Sequence, residues 1–495
     1  MGKIEGAARA GPHRTLAVDA VVGLDLGTSG ARAVAVDCTG RVLAQGAADL
    51  PPAPPGLPPG WFEQQPADWW RAACAALRAA TAALGDAPIE ALATSGTSGT
   101  VCLVDAAGAA VGPAIMYSDT RATEEAAAVQ AAGQELAGRL GFRFNASFAL
   151  PKLLWLARHR PHEVARARWF LSPADYIAGR LTGAFGFTDW TNALKCGYDL
   201  AAGRWPDLIA GLGLPLERFP QVLAPGAPRG QVSEAAAQET GLPPGTLVLA
   251  GATDGCASQF STGAASPGDW NSTLGTTLVV KGVSACLLSD PQGRVYSHRH
   301  PEGHWLPGAA STTGGEAIAA RFGRQQLDRL NAQALQMAPT SLLVYPLVRR
   351  GERFPFAHPQ AEGFALGGCD DRATWYTAHL EGVAYVERLA FQVLEEIGFA
   401  VGETVYAAGG ANRSPAWLQL RADIGGRRLA VPAVSGAAMG AAILAAGQVW
   451  YPGLAAAARH LVRIERVVEP RPQLRAAYDE RYARFLKALQ ERGYL

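Results

Sequence analysis

The sequence predicts an α/β protein with two related domains that flank a cleft. Segments typical of strands alternate with segments typical of helices, an order that favours sheets covered by helices. A strand, a turn rich in glycine and threonine, and a second strand occur near residues 21–36 and again near residues 246–282. The 495 residues also exceed the roughly 100–200 residues of one ordinary domain.

The first half of the chain opens with three predicted strands. Tight turns of Gly, Asp, Ser and Thr join them, which is typical of antiparallel neighbours. A helix follows, because Pro66 suits a first helical turn and apolar residues then recur at helical spacing. The expected segments are strands at 21–26, 31–36 and 41–45, a helix at 66–84, strands at 89–94 and 101–104, and a mostly helical stretch at 120–240.

The second half repeats the opening plan, which places a domain boundary near residues 250–260. Glycines between a strand and a helix at residues 409–412 predict the start of a helix there. The other expected segments are strands at 246–250, 270–273, 278–282 and 404–407, and helices at 370–400, 436–446 and 476–493, the last of them on the surface.

The composition argues against several classes of protein. Lys and Arg total 44 against 43 Asp and Glu, a balance unlike that of a mainly electrostatic nucleic-acid binder. Seven scattered cysteines without a Cys-x-x-Cys pair favour reduced thiols over a disulfide framework or a metal cassette. The first twenty residues contain no apolar run of the length that a signal peptide needs, and no run of eighteen apolar residues occurs, so we expect a cytoplasmic protein with no membrane partner. Only five lysines occur, which we interpret as a compositional habit.

The turn after the first strand, Gly27 to Gly30, is the first candidate site. Successive backbone amides in such a turn can form a nest for an anion, and the hydroxyls of Thr28 and Ser29 add donors. Asp25 cannot contact a phosphate favourably by itself, but it can hold a Mg²⁺ ion that does. An ordinary β-turn explains the motif equally well when it is taken alone.

Asp254 is the candidate general base. It follows the predicted strand at 246–250, and in α/β sheets ligands bind outside the carboxyl ends of the strands. A carboxylate there can accept the proton of a substrate hydroxyl. Taken alone, Asp254 is better explained as the cap of a helix.

Two glycine-rich turns in the second half are candidate nucleotide contacts. Gly275 and Thr276 mirror the first turn and could grip a second phosphate. Gly409 and Gly410 would let a flat base approach the backbone closely. In isolation, a hairpin turn is the better explanation of the first motif, and a helix start capped by Asn412 or Ser414 explains the second about equally well.

The order and spacing of the motifs resemble the FGGY carbohydrate kinases, within the actin-like ATPase superfamily. The similarity runs from about residue 21 to residue 470. The segments that carry it are residues 25–30, 95–100, 117–121, 152–155, 175–176, 181–183, 251–254, 275–277 and 409–412.

The resemblance implies two actin-like (ribonuclease H-like) ATPase domains flanking a catalytic cleft. We expect residues 1–20 to form a flexible N-terminal extension, residues 21–255 to bind sugar and phosphate, and residues 256–495 to bind the nucleotide. The implied cofactors are ATP and Mg²⁺. The implied partners are a small sugar and ATP, with a homodimer possible because dimers are usual in the family.

The resemblance also assigns roles to individual residues. Asp254 is the expected catalytic base and Asp25 the expected Mg²⁺ ligand. Both, together with Ser98 and Asp119, are expected to contact the substrate, although Asp119 could instead pair with Arg121. The residues expected to bind ATP are Gly27, Thr28, Ser29, Gly275, Thr276, Gly314, Gly315, Gly409, Gly410 and Asn412.

The predicted substrate follows from one segment in which this sequence differs from the xylulokinases. Xylulokinases place Gln-Met-His beside the sugar, where this chain has Thr97, Ser98 and Gly99. These residues resemble D-ribulose kinases of the cyanobacterial and plant type, which implies phosphorylation of the terminal hydroxyl of D-ribulose to D-ribulose 5-phosphate. D-Xylulose is the alternative within the family, because residues 63–70 are like a xylulokinase segment.

Two alternatives come from other classes of protein. One is a sugar-responsive ATP-binding sensor that has lost turnover, against which the retained Asp254 argues. The other is an ATP-hydrolysing chaperone or filament protein of the same superfamily. Such a protein would lack the sugar-site segments at residues 95–121 and 152–155.

Overall fold

The computed structural model describes residues 19–495, so the expected N-terminal extension lies almost wholly outside the described residues. The strands are β1 (Ala20–Leu26), β2 (Gly30–Val36), β3 (Val42–Asp49), β4 (Glu63–Gln64), β5 (Ile89–Gly96), β6 (Cys102–Val104), β7 (Ala114–Ile115), β8 (Trp169–Leu171), β9 (Phe187–Asp189), β10 (Gln221–Leu223), β11 (Pro228–Gln231), β12 (Leu247–Thr253), β13 (Trp270–Leu274), β14 (Leu278–Gly282), β15 (Tyr296–Arg299), β16 (Trp305–Ala310), β17 (Leu343–Tyr345), β18 (Phe364–Leu366), β19 (Thr404–Ala408), β20 (Arg428–Pro432) and β21 (Ile464–Val468).

Helices fill most of the connections between these strands. They are α1 (Pro66–Leu84), α2 (Thr123–Ala132), α3 (Gln134–Leu140), α4 (Ala149–His159), α5 (Pro161–Arg166), α6 (Pro173–Thr182), α7 (Trp190–Ala193), α8 (Leu208–Gly211), α9 (Glu234–Thr240), α10 (Asp254–Phe260), α11 (Glu316–Ala319), α12 (Leu327–Met337), α13 (Arg372–Ile397), α14 (Pro415–Gly425), α15 (Ala437–Val449), α16 (Leu454–Leu461) and α17 (Arg475–Gln490).

The two large sheets share one strand order. The first sheet runs β11-β12-β5-β1-β2-β3, with β1, β2 and β3 antiparallel and β1, β5 and β12 parallel. The second runs β15-β16-β14-β13-β19-β20-β21, with β13, β14 and β16 antiparallel and β13, β19 and β20 parallel. The series β3-β2-β1-β5-β12 therefore corresponds to β16-β14-β13-β19-β20. The prediction of two related α/β domains of the actin-like type is confirmed.

The first sheet is covered on both faces, and its central strand shows this in its sequence. All seven residues of β1, Ala-Val-Val-Gly-Leu-Asp-Leu, are buried. Val22 and Leu24 belong to the core that includes α1, whereas Val21 belongs to the core that includes α15. A strand buried on both faces reads as a continuous apolar run rather than an alternating one.

Helix α15 follows β20 in the chain but packs on the first sheet, against β1 and β5, and on α10. A Cβ at Gly23 would collide with the Ala438 carbonyl, and one at Gly440 would collide with the Ala257 carbonyl. These glycines allow backbone to approach backbone, so α15 ties the two halves together. Within residues 19–495 no single helix is long and apolar enough to cross a membrane, and only the bent pair of α15 and α16 passes that test jointly.

Most predicted elements form, and one differs. Helix α1 and strand β14 have the predicted bounds. Helix α17 lies on the surface as expected, and it is amphipathic, because its Tyr478 and Phe485 are fully buried in the second core. The glycines near residue 410 form a 3-10 turn, and the next α-helix begins at Pro415 because Ser414 caps it by accepting a hydrogen bond from the Trp417 amide.

Candidate functional site

Three parallel strands of the first sheet end side by side. In the β1–β5 pairing Asp25 lies opposite Ser95, and in the β5–β12 pairing Ser95 lies opposite Ala252. This register brings together Asp25, the loop that follows β5, and Asp254 at the start of α10. The carboxyl ends of parallel strands thus gather the polar residues that the sequence had placed in separate motifs.

Asp25 is buried at this edge, and the Ser95 hydroxyl donates a hydrogen bond of 2.8 Å to its Oδ1. Burial and the Asp254 carboxylate raise the pKa of Asp25, while the Ser95 hydrogen bond and Arg32 lower it. The net effect is a pKa of about 6. The electrostatic coupling of the two carboxylates indicates that they lie in one site. Beyond them, Thr28 and Ser29 are exposed at the tip of the β1–β2 hairpin.

Asp254 is the first residue of α10 and is partly buried. The Gly255 amide donates a hydrogen bond of 2.7 Å to its Oδ1. Burial raises the pKa of Asp254, while the Gly255 amide, the ammonium groups of Lys195 and Lys281, and the Ser98 amide lower it. The carboxylate therefore lies between groups from both sheets.

Lys195 and Lys281 lie close to Asp254, and the sequence analysis did not single them out. Lys281 comes from β14 of the second sheet, and its Nζ lies 3.9 Å from Cys256 Sγ. Burial lowers the pKa of Lys195 to about 8, against the raising effect of Asp254. Glycines make room for both side chains. A Cβ at Gly99 would lie 3.0 Å from Lys195 Cδ, and one at Gly255 would lie 3.2 Å from Lys281 Nζ.

The small number of lysines is the sequence feature that could have pointed to Lys195 and Lys281. Of the four lysines in the described range, Lys152, Lys195 and Lys281 lie in or beside this site. Lys152 has a supporting position: its Nζ donates hydrogen bonds to the carbonyls of Ala146 (2.5 Å) and Phe148 (3.2 Å). It holds the loop whose Phe148 ring lies 5.6 Å from Lys195 Nζ.

The loop after β5 presents one free hydroxyl. Thr97 and Thr100 hydrogen-bond to each other at 2.9 Å, so these two hydroxyls satisfy each other. The Ser98 Oγ is buried and has no hydrogen-bond partner among the described residues. An unsatisfied buried hydroxyl costs free energy, which a polar ligand would relieve. Ser98 is thus placed to meet a ligand.

The second sheet places Tyr296 and His298 near the lysines and Asp254. Burial, with the neighbouring Cys256 and Asp254, raises the pKa of Tyr296 to about 12, while Arg353 lowers it. Burial, together with Lys281 and Lys195, lowers the pKa of His298 well below its ordinary value. Both groups are therefore uncharged at neutral pH, which leaves the lysines and aspartates to determine the charge of the site.

The Asp119 carboxylate is held by other groups of the protein. Its side chain is fully buried, and its carboxylate accepts hydrogen bonds from the Arg121 guanidinium (2.7 and 2.9 Å) and from the Phe62 amide (2.6 Å). Arg121 in turn lies over the Trp61 ring at 3.7 Å and pairs with Glu63. These contacts support the structural alternative for Asp119, and its contact with the sugar stays a prediction.

A cavity of about 840 Å³ opens beside the second hairpin. Such a volume is typical of small-molecule and cofactor sites. Four of the expected ATP residues line it: Gly275, Thr276, Gly315 and Gly410. The side chains that line it are Glu316, Ile318, Ala319, Phe322, Arg324, Leu327, Asp328, Asn331, Tyr376, Ala411, Arg413, Ser414 and Trp417, with Leu274 and Gly323 completing the wall.

Three more of the expected ATP residues support this wall from behind. A Cβ at Gly314 would collide with the Thr277 backbone, and one at Gly409, where φ is +95°, would meet Leu274. Asn412 donates from Nδ2 to the Ala407 carbonyl at 2.8 Å and so fixes the turn. These residues shape the cavity, whereas Gly27, Thr28 and Ser29 belong to the first hairpin.

Comparison with known proteins agrees with this arrangement. The models for the N-terminal and C-terminal domains of the FGGY family of carbohydrate kinases match residues 20–261 and 272–449. The xylulose kinase of Klebsiella pneumoniae is 30% identical over 438 residues, which are 82% of this chain and 85% of that protein. That of Streptomyces rubiginosus is 32% identical over 457 residues, 89% of this chain and 90% of that protein. The crystal structure of xylulose kinase from Rhodospirillum rubrum has a TM-score of 0.85 at 30% identity, covering 95% of this chain and 98% of that one.

Proposed function

The chain belongs to the FGGY family of carbohydrate kinases, and we propose that it transfers the γ-phosphoryl group of ATP to the terminal hydroxyl of a ketopentose, with D-ribulose as the favoured substrate. The observation that carries the proposal is the position of Asp254. It lies at the carboxyl edge of the first sheet, beside the free hydroxyl of Ser98 and within the electrostatic reach of lysines on both halves of the chain.

In this proposal Asp254 accepts the proton of the attacking hydroxyl. A general base must be ionised, and burial opposes ionisation here. The ammonium groups of Lys195 and Lys281 offset the burial by lowering the pKa of Asp254. The Ser98 hydroxyl, which lacks a protein partner in the described chain, would bind a sugar hydroxyl and orient it toward Asp254.

The phosphate groups would lie between the two hairpins. Thr28 and Ser29 with the Gly27 amide would hold them from the first domain, and Gly275 with Thr276 from the second. Among residues 19–495 there is no cluster of three or more His, Cys, Asp or Glu side chains that could hold a metal. A single carboxylate, Asp25, fits Mg²⁺ that arrives with ATP and keeps most of its water and phosphate ligands. That ion would neutralise charge on the nucleotide phosphates.

The proposed binding roles divide between the two sheets. We assign sugar and phosphate binding to residues 21–255 and nucleotide binding to residues 256–495, with the 840 Å³ cavity as the ATP site. Lys281, Tyr296 and His298 come from the second sheet, yet they neighbour Asp254 or Lys195. Closure of the two halves on the sugar would therefore complete the site and exclude water, which suppresses ATP hydrolysis.

The substrate preference rests on the loop after β5. Thr97 and Gly99 carry no charge, and the small Gly99 leaves space that the Lys195 side chain occupies. A hydroxyl-rich acyclic sugar suits Ser98 and an ammonium donor. D-Xylulose is the second candidate, because the named relatives at about 30% identity are xylulose kinases.

The test is ADP release from MgATP with D-ribulose, D-xylulose, L-ribulose, glycerol and ribitol. We expect D-ribulose to give the highest kcat/KM, and Asp254→Asn to lose about 10²–10⁴-fold in kcat while binding ADP normally. Preference for D-xylulose would replace the favoured substrate with the second candidate. No ADP release with any of these sugars would overturn the proposed phosphorylation and favour an untested polyol or a sensor that binds ATP without turnover. Near-normal turnover of Asp254→Asn would overturn the role of Asp254 as the base and leave the kinase activity in place.

A further inference from the structure

Asn331 on α12 has an amide whose orientation is fixed by two hydroxyl groups. The Tyr376 hydroxyl and the Ser414 hydroxyl each donate a hydrogen bond of 2.7 Å to Asn331 Oδ1. Burial raises the pKa of Tyr376 to about 12, so its hydroxyl keeps its proton at working pH. Ser414 Oγ already accepts a hydrogen bond from the Trp417 amide at 3.0 Å. With the amide reversed, both hydroxyl protons would lose their acceptor.

The nitrogen of the Asn331 amide therefore has no hydrogen-bond partner among the described residues. Asn331 lines the 840 Å³ cavity, and its Nδ2 makes no hydrogen bond to any other residue in the 19–495 range. An amide nitrogen offers two donors. The geometry thus leaves a donor of fixed position facing a cavity whose walls include Phe322 and Ile318.

Asp328 places an acceptor beside this donor. It precedes Asn331 by three residues on α12 and also lines the cavity. Side chains at this spacing lie on one face of a helix, with Cβ atoms about 5–6 Å apart. A carboxylate accepts hydrogen bonds and cannot donate them. The helix therefore presents an acceptor and a donor side by side.

We infer that Asp328 and Asn331 read the nucleotide base and select adenine over guanine. On each accessible edge, adenine has its N6 amino group, a donor, next to a ring nitrogen, an acceptor. The amino group would donate to the Asp328 carboxylate, and the ring nitrogen would accept from Asn331 Nδ2. Guanine has the O6 acceptor where adenine has the amino group, and that oxygen would face the Asp328 carboxylate. This inference rests on the proposed role of the cavity as the ATP site.

The test is calorimetric binding of ADP and GDP to the full chain without sugar. We expect the wild type to bind ADP at least about tenfold more tightly than GDP. Asn331→Asp keeps an acceptor for the Tyr376 and Ser414 hydroxyls but turns the donor into an acceptor, so ADP binding should weaken about tenfold. Asp328→Asn should reduce the ADP-to-GDP preference about tenfold, because an amide can also donate to O6.

Gln336→Glu is the matched control, because it makes the same amide-to-carboxylate change at an exposed position of α12 that does not line the cavity. It should leave both affinities unchanged. ADP binding by Asn331→Asp within twofold of the wild type, or an unchanged ADP-to-GDP ratio in Asp328→Asn, would overturn the inference, as would failure of the wild type to bind ADP. Adenine selectivity without phosphorylation of any sugar would support the inference while overturning the proposed function.

Discussion

Replacing Lys195 with methionine tests two effects of its ammonium group, which are hydrogen bonding to the sugar and lowering of the pKa of Asp254. The side chain is partly buried beside Gly99, Asp254 and the Phe148 ring. Methionine keeps a flexible apolar chain of similar length and removes the charge. The ammonium can then no longer donate to the sugar, and it can no longer lower the pKa of Asp254.

The expected magnitude follows from the strength of a charged hydrogen bond. Such a bond contributes about 1.5–3 kcal/mol, so the KM for the sugar should rise about 10- to 150-fold. The KM for ATP should stay nearly constant, because Lys195 does not line the 840 Å³ cavity.

The pH dependence gives a second, independent readout. In the wild type, sugar affinity should fall as the pH rises through about 8, where Lys195 loses its proton. Lys195→Met should lack this alkaline loss. Its acid limb should move to higher pH, because Asp254 without the lysine has a higher pKa and becomes protonated earlier as the pH falls.

The assay is steady-state ADP release between pH 5.5 and 9.5, with kcat and KM for the sugar determined at each pH. Lys487→Met is the matched control, since the Lys487 side chain is 75% exposed on α17, and its kinetics should equal those of the wild type. A sugar KM within twofold of the wild type, together with an unmoved acid limb, would refute the role of Lys195.

Three further outcomes are expected. Asp25→Ala should lower turnover by about 100-fold or more and change its Mg²⁺ dependence, and an unchanged Mg²⁺ titration would contradict the proposed ligand. Ser98→Ala should raise the sugar KM about fivefold by removing one hydrogen bond of about 1 kcal/mol, whereas a change confined to kcat would contradict a binding role. Gly23→Ala should lower the thermal midpoint, at a cost of about 1–3 kcal/mol, because its Cβ meets the α15 backbone; Gly138→Ala, which points into open space on α3, should not lower it.

Local sequence patterns were sufficient to predict the hairpins and helices, because short-range interactions determine them. The hairpin turns and the helix from Pro66 to Leu84 follow from turn residues and apolar spacing. The sequence also placed Asp25 and Asp254 correctly at strand ends, because each follows a buried apolar run. That placement made them candidates, although their roles remain proposals.

Long-range packing decided what the motifs could not. The pairing of Asp119 with Arg121 was an alternative within one motif, whereas the Phe62 amide, 57 positions away, reaches the Asp119 carboxylate only in the folded chain. The lysines of the site lie outside the motifs quoted for phosphate and nucleotide, and a scarcity of lysine is only a count until the fold assembles them. Asn331 carries no local signal either, because its partners Tyr376 and Ser414 are distant in sequence.

By itself, the sequence determined the two α/β halves, their hairpins and the two aspartates at strand ends, since periodicity and turn chemistry act over a few residues. Only the tertiary structure decided that α15 covers the first sheet, that Lys195 and Lys281 approach Asp254 from different halves of the chain, and that the Asn331 amide faces the cavity. The physical reason is that burial, charge coupling and hydrogen-bond satisfaction depend on groups that are far apart in the chain and become neighbours only when both sheets are packed.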